Sequence, residues 1–161
     1  MPNEEYHRNA EQKSRHAYRL SLREKRRAID PSHAQRASEL IADYMRKSSF
    51  WSAEHIALYL ANDGELDPAV IATAALREGK RIYLPVIRAE AMAFCEWQSG
   101  DPLQPNRFGI GEPSGEPVAA DLLDLVVLPT VGWTAEGFRL GMGGGYYDRF
   151  FGHEQAAGAK R

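Results

Sequence analysis

The stretch Leu123-Asp-Leu-Val-Val-Leu-Pro129 is the strongest signal of a buried β-strand in this chain. Two further apolar runs, His55–Leu60 and Arg81–Pro85, have the same character, and a helical pattern over residues 67–77 separates them. A strand, a helix and a second strand in this order imply parallel pairing through a right-handed crossover. The pattern therefore predicts an α/β fold, a three-layer α/β/α arrangement with a mostly parallel sheet.

Helical patterns precede the first of these strands. Residues 13–29 are rich in helix-forming residues, and residues 31–47 place apolar side chains at steps of three and four. Asp30 can cap the second helix, and Pro31 suits its first turn. Residues 92–97 predict another strand, residues 119–123 a short helix, and residues 99–118 an irregular segment. We expect residues 1–12 to form a flexible tail and residues 13–161 to form a single domain.

The composition bounds the class of protein. The chain has 161 residues, of which 43% are hydrophobic and 26% are charged, and this excludes a wholly disordered chain. Its single cysteine, Cys95, excludes an internal disulfide and a zinc site built from several cysteines. No apolar stretch is long enough for a membrane span or resembles a signal peptide. We therefore expect a cytoplasmic protein that does not bind membranes.

Positive charge is concentrated in the first predicted helix. Residues 13–27 contain seven basic residues and one acidic residue, although the whole chain has a net charge of −2. This asymmetry favours a local anion site over general nucleic-acid binding. Arg15 and Arg19 are four residues apart, so one face of the helix presents both cations. The remaining basic residues at the end of the helix are interpreted as surface charge: Arg23, Lys25, Arg26 and Arg27.

A glycine-rich loop lies near the C-terminus, in Arg139-Leu-Gly-Met-Gly-Gly-Gly-Tyr-Tyr-Asp148. Four glycines in five positions allow successive backbone N–H groups to converge on phosphate oxygens, at the start of a predicted helix. A Walker A loop is excluded because Tyr146 stands where lysine is needed, and a dinucleotide fingerprint lacks its third glycine. Arg139 and Asp148 add the cation and the carboxylate of a nucleotide–Mg²⁺ site.

These segments together resemble the 5-formyltetrahydrofolate cyclo-ligase family, also called the 5,10-methenyltetrahydrofolate synthetases. The resemblance runs from about residue 13 to residue 151, and the stretches that carry it are the basic first helix, 56–60 with 64–67, 79–85, 108–113, 128–133 and 137–148. The resemblance implies an enzyme that uses ATP and Mg²⁺ to cyclise 5-formyltetrahydrofolate to 5,10-methenyltetrahydrofolate, releasing ADP and phosphate. Such phosphoryl transfer needs positioning and charge neutralisation more than a protein nucleophile.

The resemblance also implies roles for individual residues. Asp148 matches the family's Mg²⁺ ligand, and Arg139 and Tyr146 match its catalytic positions. Arg15 stands where the family usually has lysine, so its contact with phosphate need not be the same. The implied ATP-binding residues are Arg15, Arg19, Arg139, Leu140, Gly141, Met142, Gly143, Gly144, Gly145, Tyr146 and Tyr147. The implied folate-binding residues are Leu60, Glu65, Phe108, Met142 and Tyr146.

The end of the sequence departs from the family pattern. Ten residues follow Phe151, whereas family members continue with another strand and a second metal-binding aspartate. The resemblance thus implies a C-terminally shortened member, and an alternative is a catalytically impaired protein that binds folate or nucleotide. A third hypothesis, an RNA-associated protein that uses the basic helix, conflicts with the negative net charge and the lack of an aromatic platform beside that helix. We expect a monomer that does not bind nucleic acid.

Overall fold

A computed structural model describes residues 2–89 and 91–152, with side chains from residue 12 onward. Four β-strands form the central sheet: β1 (His55–Ala57), β2 (Arg81–Arg88), β3 (Ala91–Trp97) and β6 (Leu125–Val126). Their order is β3-β2-β1-β6. β1 runs parallel to β2 and to β6, and β3 is antiparallel to β2. The structure is thus a mixed α/β fold with a mostly parallel sheet, as predicted.

Two hairpins flank this sheet. The first pairs β4 (Leu103–Pro105) with β5 (Gly111–Pro113), within the segment that was predicted to be irregular. That prediction is wrong for these residues, because the backbone on either side of the Asn106–Gly109 turn pairs despite its glycines and prolines. The second pairs β7 (Gly132–Trp133) with β8 (Arg139–Leu140). It brings the chain to the glycine-rich loop.

The described helices are α1 (Pro2–Arg27), α2 (Pro31–Lys47), α3 (Ala69–Arg77) and α4 (Tyr146–Gly152). As predicted, Asp30 caps α2: its side chain accepts the Ser32 N–H at 2.9 Å. The backbone of α1 begins at Pro2, so the expected tail over residues 1–12 is helical from residue 2. The cause is the lack of any proline or glycine between Asn3 and Arg27, which leaves nothing to stop the helix.

The side chains of the sheet alternate between two apolar clusters. Ile56 and Ile82 pack with α2 and α3 in one cluster, whereas Ala57 and Tyr83 pack with α4 in the other. This alternation follows from the two-residue period of a strand. Both faces of the central strands are therefore buried, which explains why these strands are continuous apolar runs in the sequence. Within residues 2–89 and 91–152, no helix has both the length and the hydropathy needed to span a bilayer.

The buried centre of β1 gives a test of the core. Ile56 is 0% exposed, so Ile56→Ala should lower the free energy of unfolding by about 2–5 kcal/mol. Leu40→Ala is the control, since Leu40 is 66% exposed and its truncation should cost about 0.5 kcal/mol or less. Urea denaturation monitored by circular dichroism measures both changes. Equal losses in the two variants would contradict the placement of Ile56.

Candidate functional site

The glycine-rich loop connects β8 to α4. Gly143 and Gly145 have φ angles of 99° and 66°, in the left-handed region where a side chain would be strained. The backbone N–H of Arg149 donates to the Gly145 carbonyl at 2.9 Å, which closes the first turn of α4. Met142 lies between the glycines and is half exposed, and Leu140 belongs to β8, where its carbonyl accepts the Val131 N–H at 2.8 Å.

Helix α1 contacts this loop directly. Nε of Arg19 donates to the Gly141 carbonyl at 2.8 Å, although 122 residues separate the two along the chain. A Cβ atom at Gly143 would lie only 3.7 Å from the guanidinium carbon of Arg19. Arg15 lies one helical turn earlier in α1, on the side of Arg19. The structure therefore brings the predicted cation of the first helix to the predicted phosphate loop.

Arg139 and Asp148, predicted to flank the loop, form an ion pair. Nη2 of Arg139 lies 2.7 Å from Oδ1 of Asp148, and the Asp148 side chain is 76% exposed. The carboxylate predicted to bind Mg²⁺ is therefore accessible and is held by the predicted catalytic arginine. Among residues 2–89 and 91–152 no three His, Cys, Asp or Glu side chains cluster as a metal site.

Tyr146, at the start of α4, meets the loop that joins β4 to β5. The Phe108 and Tyr146 rings are 6.2 Å apart in an edge-to-face arrangement, so two predicted folate residues are in contact. Two further cations, Arg107 and Arg149, also contact this pair. Arg107 donates to the Tyr146 hydroxyl and lies over the Phe108 ring, and the Arg149 guanidinium carbon lies 4.9 Å from the centre of the Tyr146 ring. In the sequence Arg149 stands beside Asp148 as a further cation of the loop, whereas nothing in the sequence points to Arg107.

Glu65 lies in the loop between β1 and α3 and is largely buried, with its side chain 10% exposed. Its Oε2 accepts the Asn62 N–H at 3.1 Å, and its Oε1 lies 3.6 Å from Nη1 of Arg26. Burial raises the pKa of Glu65, although the Asn62 N–H and the Arg26 charge oppose this shift. Burial, and after it the charge of Glu65, raises the pKa of Tyr147.

Leu60 precedes this loop and is partly buried. It lines a cavity of about 440 Å³ beside α3, together with Leu58, Tyr59, Leu84 and Trp97. Glu65, Phe108 and Tyr146 do not line this cavity. Leu60 is therefore near Glu65 along the chain, but its side chain borders a separate apolar space.

The basic end of α1 is not simply solvated. Arg23, Arg26 and Arg27 all form ion pairs with Asp63, whose side chain is 16% exposed. Nε of Arg23 lies 2.7 Å from Oδ2 of Asp63, and Nη2 of Arg26 lies 3.1 Å from the same oxygen. The interpretation of these three arginines as surface charge is therefore wrong. A run of basic residues looks the same in sequence whether it faces water or a distant carboxylate.

Asp63 was not singled out in the sequence, yet it joins α1 to the Glu65 loop. Its φ of 54° is in the left-handed region, which aspartate tolerates better than most residues. The hydrogen bonds from Arg27 and Arg23 lower the pKa of Asp63 to about 2. We name Asp63 with Arg23, Arg26 and Arg27 the Asp63 cluster. In the sequence, the adjacent Gly64 indicates a turn at this position, and in the structure its φ is 76°.

The Asp63 cluster predicts a pH-dependent contribution to stability. The folded-state pKa of Asp63 is below its ordinary value of 3.8, so the ionised form stabilises the fold. Asp63→Asn should therefore be destabilising at pH 7, and the difference from wild type should shrink as the pH falls from about 4 to 2. Asparagine also tolerates the left-handed backbone, so the change mainly removes charge.

Denaturant unfolding across this pH range measures the effect. The same change made in a chain that carries Arg23→Gln and Arg27→Gln serves as the control. Its pH-dependence should be smaller, because the two arginines that lower the pKa of Asp63 are absent. A wild-type–Asp63→Asn difference that stays constant from pH 7 to 2 would contradict the ion-pair assignment.

Comparisons with known proteins agree with this architecture. The sequence model of the 5-formyltetrahydrofolate cyclo-ligase family matches residues 11–161. The 5-formyltetrahydrofolate cyclo-ligase of Escherichia coli (strain K12) is 35% identical over 135 residues, which are 80% of this chain and 74% of that protein. The enzyme of the same name from Haemophilus influenzae is 35% identical over 103 residues, 60% of this chain and 55% of that protein.

Solved structures give the same result. The NMR structure of Aquifex aeolicus 5,10-methenyltetrahydrofolate synthetase superposes with a TM-score of 0.77 and 30% identity, covering 86% of this chain and 72% of that one. The 5,10-methenyltetrahydrofolate synthetase from Mycoplasma pneumoniae shares the fold, with a TM-score of 0.65, 20% identity, and coverage of 86% of this chain and 77% of that one. From its sequence and its fold, this chain belongs to the 5-formyltetrahydrofolate cyclo-ligase family of enzymes.

Proposed function

We propose that this protein uses ATP and Mg²⁺ to convert 5-formyltetrahydrofolate into 5,10-methenyltetrahydrofolate, releasing ADP and phosphate. The observation that supports the proposal most strongly is the convergence on one glycine-rich loop of a helix cation, a loop cation and an exposed carboxylate. Arg19 bonds to the Gly141 carbonyl, and Arg139 pairs with Asp148 across the loop. Cations, N–H groups and a carboxylate together are what a nucleotide–Mg²⁺ complex requires.

On the ATP side, the loop acts through its backbone. The glycines between Leu140 and Tyr146 leave their N–H groups accessible to the β- and γ-phosphates, and Arg15 and Arg19 add positive charge from α1. Arg139 stabilises the charge that develops on the transferred phosphoryl group. Leu140, Met142 and Tyr147 border the same loop and complete the nucleotide contacts. Positioning and charge neutralisation supply most of the catalysis, because the transition state needs little covalent chemistry from the protein.

Asp148 fits the proposed metal. Its carboxylate is a hard oxygen donor, it is exposed, and it lies one residue beyond Tyr147 at the loop. Mg²⁺ commonly takes one or two carboxylates together with phosphate and water, so a single aspartate is a sufficient protein donor beside ATP. When bound, Mg²⁺ neutralises phosphate charge and orients the γ-phosphoryl group. Arg139 holds the Asp148 side chain toward the loop.

On the folate side, Glu65 supplies a carboxylate that can accept paired hydrogen bonds from the amino-pyrimidine edge of the pterin. Its neighbours leave it little freedom, because the Asn62 N–H and Arg26 face its two oxygens. Phe108 and Tyr146 offer aromatic surfaces and Met142 offers an apolar one, whereas Leu60 would meet the folate only from the separate space beside α3. Tyr146 belongs to both the loop and the aromatic pair, so it links the folate to the phosphates.

The residues bring the formyl oxygen of the substrate to the γ-phosphorus of ATP. The oxygen forms a bond to phosphorus as the bond to ADP breaks, and N10 of the folate then attacks the activated formyl carbon while phosphate leaves. The protein holds both substrates in line, which converts a bimolecular encounter into a step within one complex. We also propose that residues 13–161 form one domain; residues 153–161 lie outside the described residues, and within the described ones β1 and β6 pair across nearly half of the chain.

Asp148 gives the first test of the activity. With Mg·ATP and 5-formyltetrahydrofolate, wild-type protein should generate methenyl product, and Asp148→Asn should lower the rate about 100-fold, because the metal's charge stabilisation is worth several kcal/mol. Asp43→Asn is the matched control, since Asp43 is an exposed aspartate on α2 far along the chain from the loop. Absorbance of the product measures all three rates.

Folded wild-type protein that binds either substrate but forms no product would contradict the proposed reaction. It would instead indicate a folate- or nucleotide-binding member of the family. Equal rates for wild type and Asp148→Asn would contradict the role of Asp148 while leaving the activity in place.

Glu65 gives a second test, specific to the folate. Glu65→Gln should raise the KM for 5-formyltetrahydrofolate about 10-fold or more, because hydrogen bonds to a charged acceptor contribute about 1.5–3 kcal/mol. The KM for ATP should change less than about twofold. Initial rates with each substrate varied in turn measure both constants. A parallel rise in both would argue for a general loss of structure.

A further inference from the structure

Arg26 occupies a position in which one guanidinium faces four acceptors. Its Nε donates to the Asp63 carbonyl at 3.0 Å and its Nη2 to Oδ2 of Asp63 at 3.1 Å. Its Nη1 donates to the Thr130 carbonyl at 3.4 Å and lies 3.6 Å from Oε1 of Glu65. The side chain is 12% exposed. All three guanidinium nitrogens are therefore engaged, and the plane of the group is fixed.

Arg26 contacts Asp63 more closely than it contacts Glu65. Asp63 receives two nitrogens of Arg26, and Arg23 and Arg27 hold the same carboxylate from the neighbouring positions of α1. The distance to Glu65 is longer, at 3.6 Å, which is an ion-pair contact and not a short hydrogen bond. Arg26 thus offers Glu65 positive charge from a fixed direction, without a short bond to its oxygen.

Glu65 is held from its two sides by different donors. The Asn62 N–H lies 3.1 Å from Oε2, and Arg26 faces Oε1. A carboxylate whose two oxygens face different fixed donors has little freedom to rotate. This restriction favours the binding of a planar ligand edge through paired hydrogen bonds. Because the carboxylate is already ordered, less of the binding free energy is spent on ordering it.

We propose that Arg26, anchored by Asp63, is a positioning residue that orients the Glu65 carboxylate for the pterin edge of the folate. This inference rests on the proposed function. Arg26 does not touch the substrate: it acts through Glu65, and Asp63 acts through Arg26. The alternative is that the Asp63 cluster only fastens α1 to the loop, in which case all of its arginines should behave alike.

Arg26 and Arg27 form a matched pair for the experiment. Both are on the last turn of α1 and both bind Asp63, but only Arg26 reaches Glu65. Steady-state kinetics with each substrate varied, and calorimetric binding of 5-formyltetrahydrofolate, are measured for Arg26→Gln, Arg27→Gln, Glu65→Gln and the Arg26→Gln/Glu65→Gln double variant. Thermal unfolding of each variant reports the structural cost separately.

We expect Arg26→Gln to raise the KM and the Kd for 5-formyltetrahydrofolate about 10-fold, as is typical for residues that support a ligand-binding group, with kcat and the KM for ATP changed less than about twofold. Arg27→Gln should leave the folate constants within about twofold, because Arg23 still holds Asp63. The double variant should bind folate no more weakly than Glu65→Gln alone, since Arg26 acts through Glu65.

Equal folate constants for Arg26→Gln and Arg27→Gln would overturn the inference, and so would a double variant whose loss is the product of the single losses. If Arg26→Gln does not fold, Asp63→Asn replaces it: a selective rise in the folate constants supports the inference, and equal rises for folate and ATP overturn it.

If Glu65→Gln binds folate as wild type does, the folate role of Glu65 fails and the inference fails with it. A wild-type protein that binds folate without turnover contradicts only the reaction, and the binding constants still decide the role of Arg26. A wild-type protein that does neither overturns both.

Discussion

Three arginines of the first helix meet one carboxylate, Asp63, at the end of the first strand of the sheet. Hydrogen bonds from Arg27 and Arg23 lower the pKa of this carboxyl to about 2, so Asp63 stays ionised to low pH. Without these ion pairs, α1 would have few apolar contacts to hold it against the domain, since its mean hydropathy is low. Two other contacts depend on the position of α1: the hydrogen bond from Arg19 to the glycine-rich loop, and the approach of Arg26 to Glu65.

The sheet determines why these groups are near one another at all. β1 lies between two parallel partners, so the segments that leave β1 and β6 emerge at the same edge of the sheet. One of these segments carries Asp63 and Glu65, and the other carries Thr130 and leads to the hairpin of the glycine-rich loop. Ligands of parallel sheets gather at this edge for the same reason. The helix α1 crosses it, and Arg26 bonds to both segments.

The parts of the site differ in how far apart along the chain their residues lie. The glycine-rich loop is local: its glycines, the flanking Arg139 and Asp148 and the following helix all lie within residues 139–152, and the structure brings the charged pair together at 2.7 Å. The link between Arg19 and Gly141 spans 122 residues, and residue spacing in α1 predicted only that its cations share a face. The contact between Arg107 and Tyr146 spans 39 residues and left no trace in the sequence.

Sequence by itself determined the elements whose signals are local: the capped helix α2, the buried apolar strands, and the glycine-rich loop at the start of α4. Each depends on hydrogen bonds and periodicity within a few residues, and so can be read along the chain. Only the tertiary structure decided that Arg23, Arg26 and Arg27 pair with Asp63, and that β4 and β5 pair. A run of charged residues, or a stretch rich in glycine and proline, can pair with several different segments. The parallel sheet decides the pairing, because it places particular distant segments at the same edge.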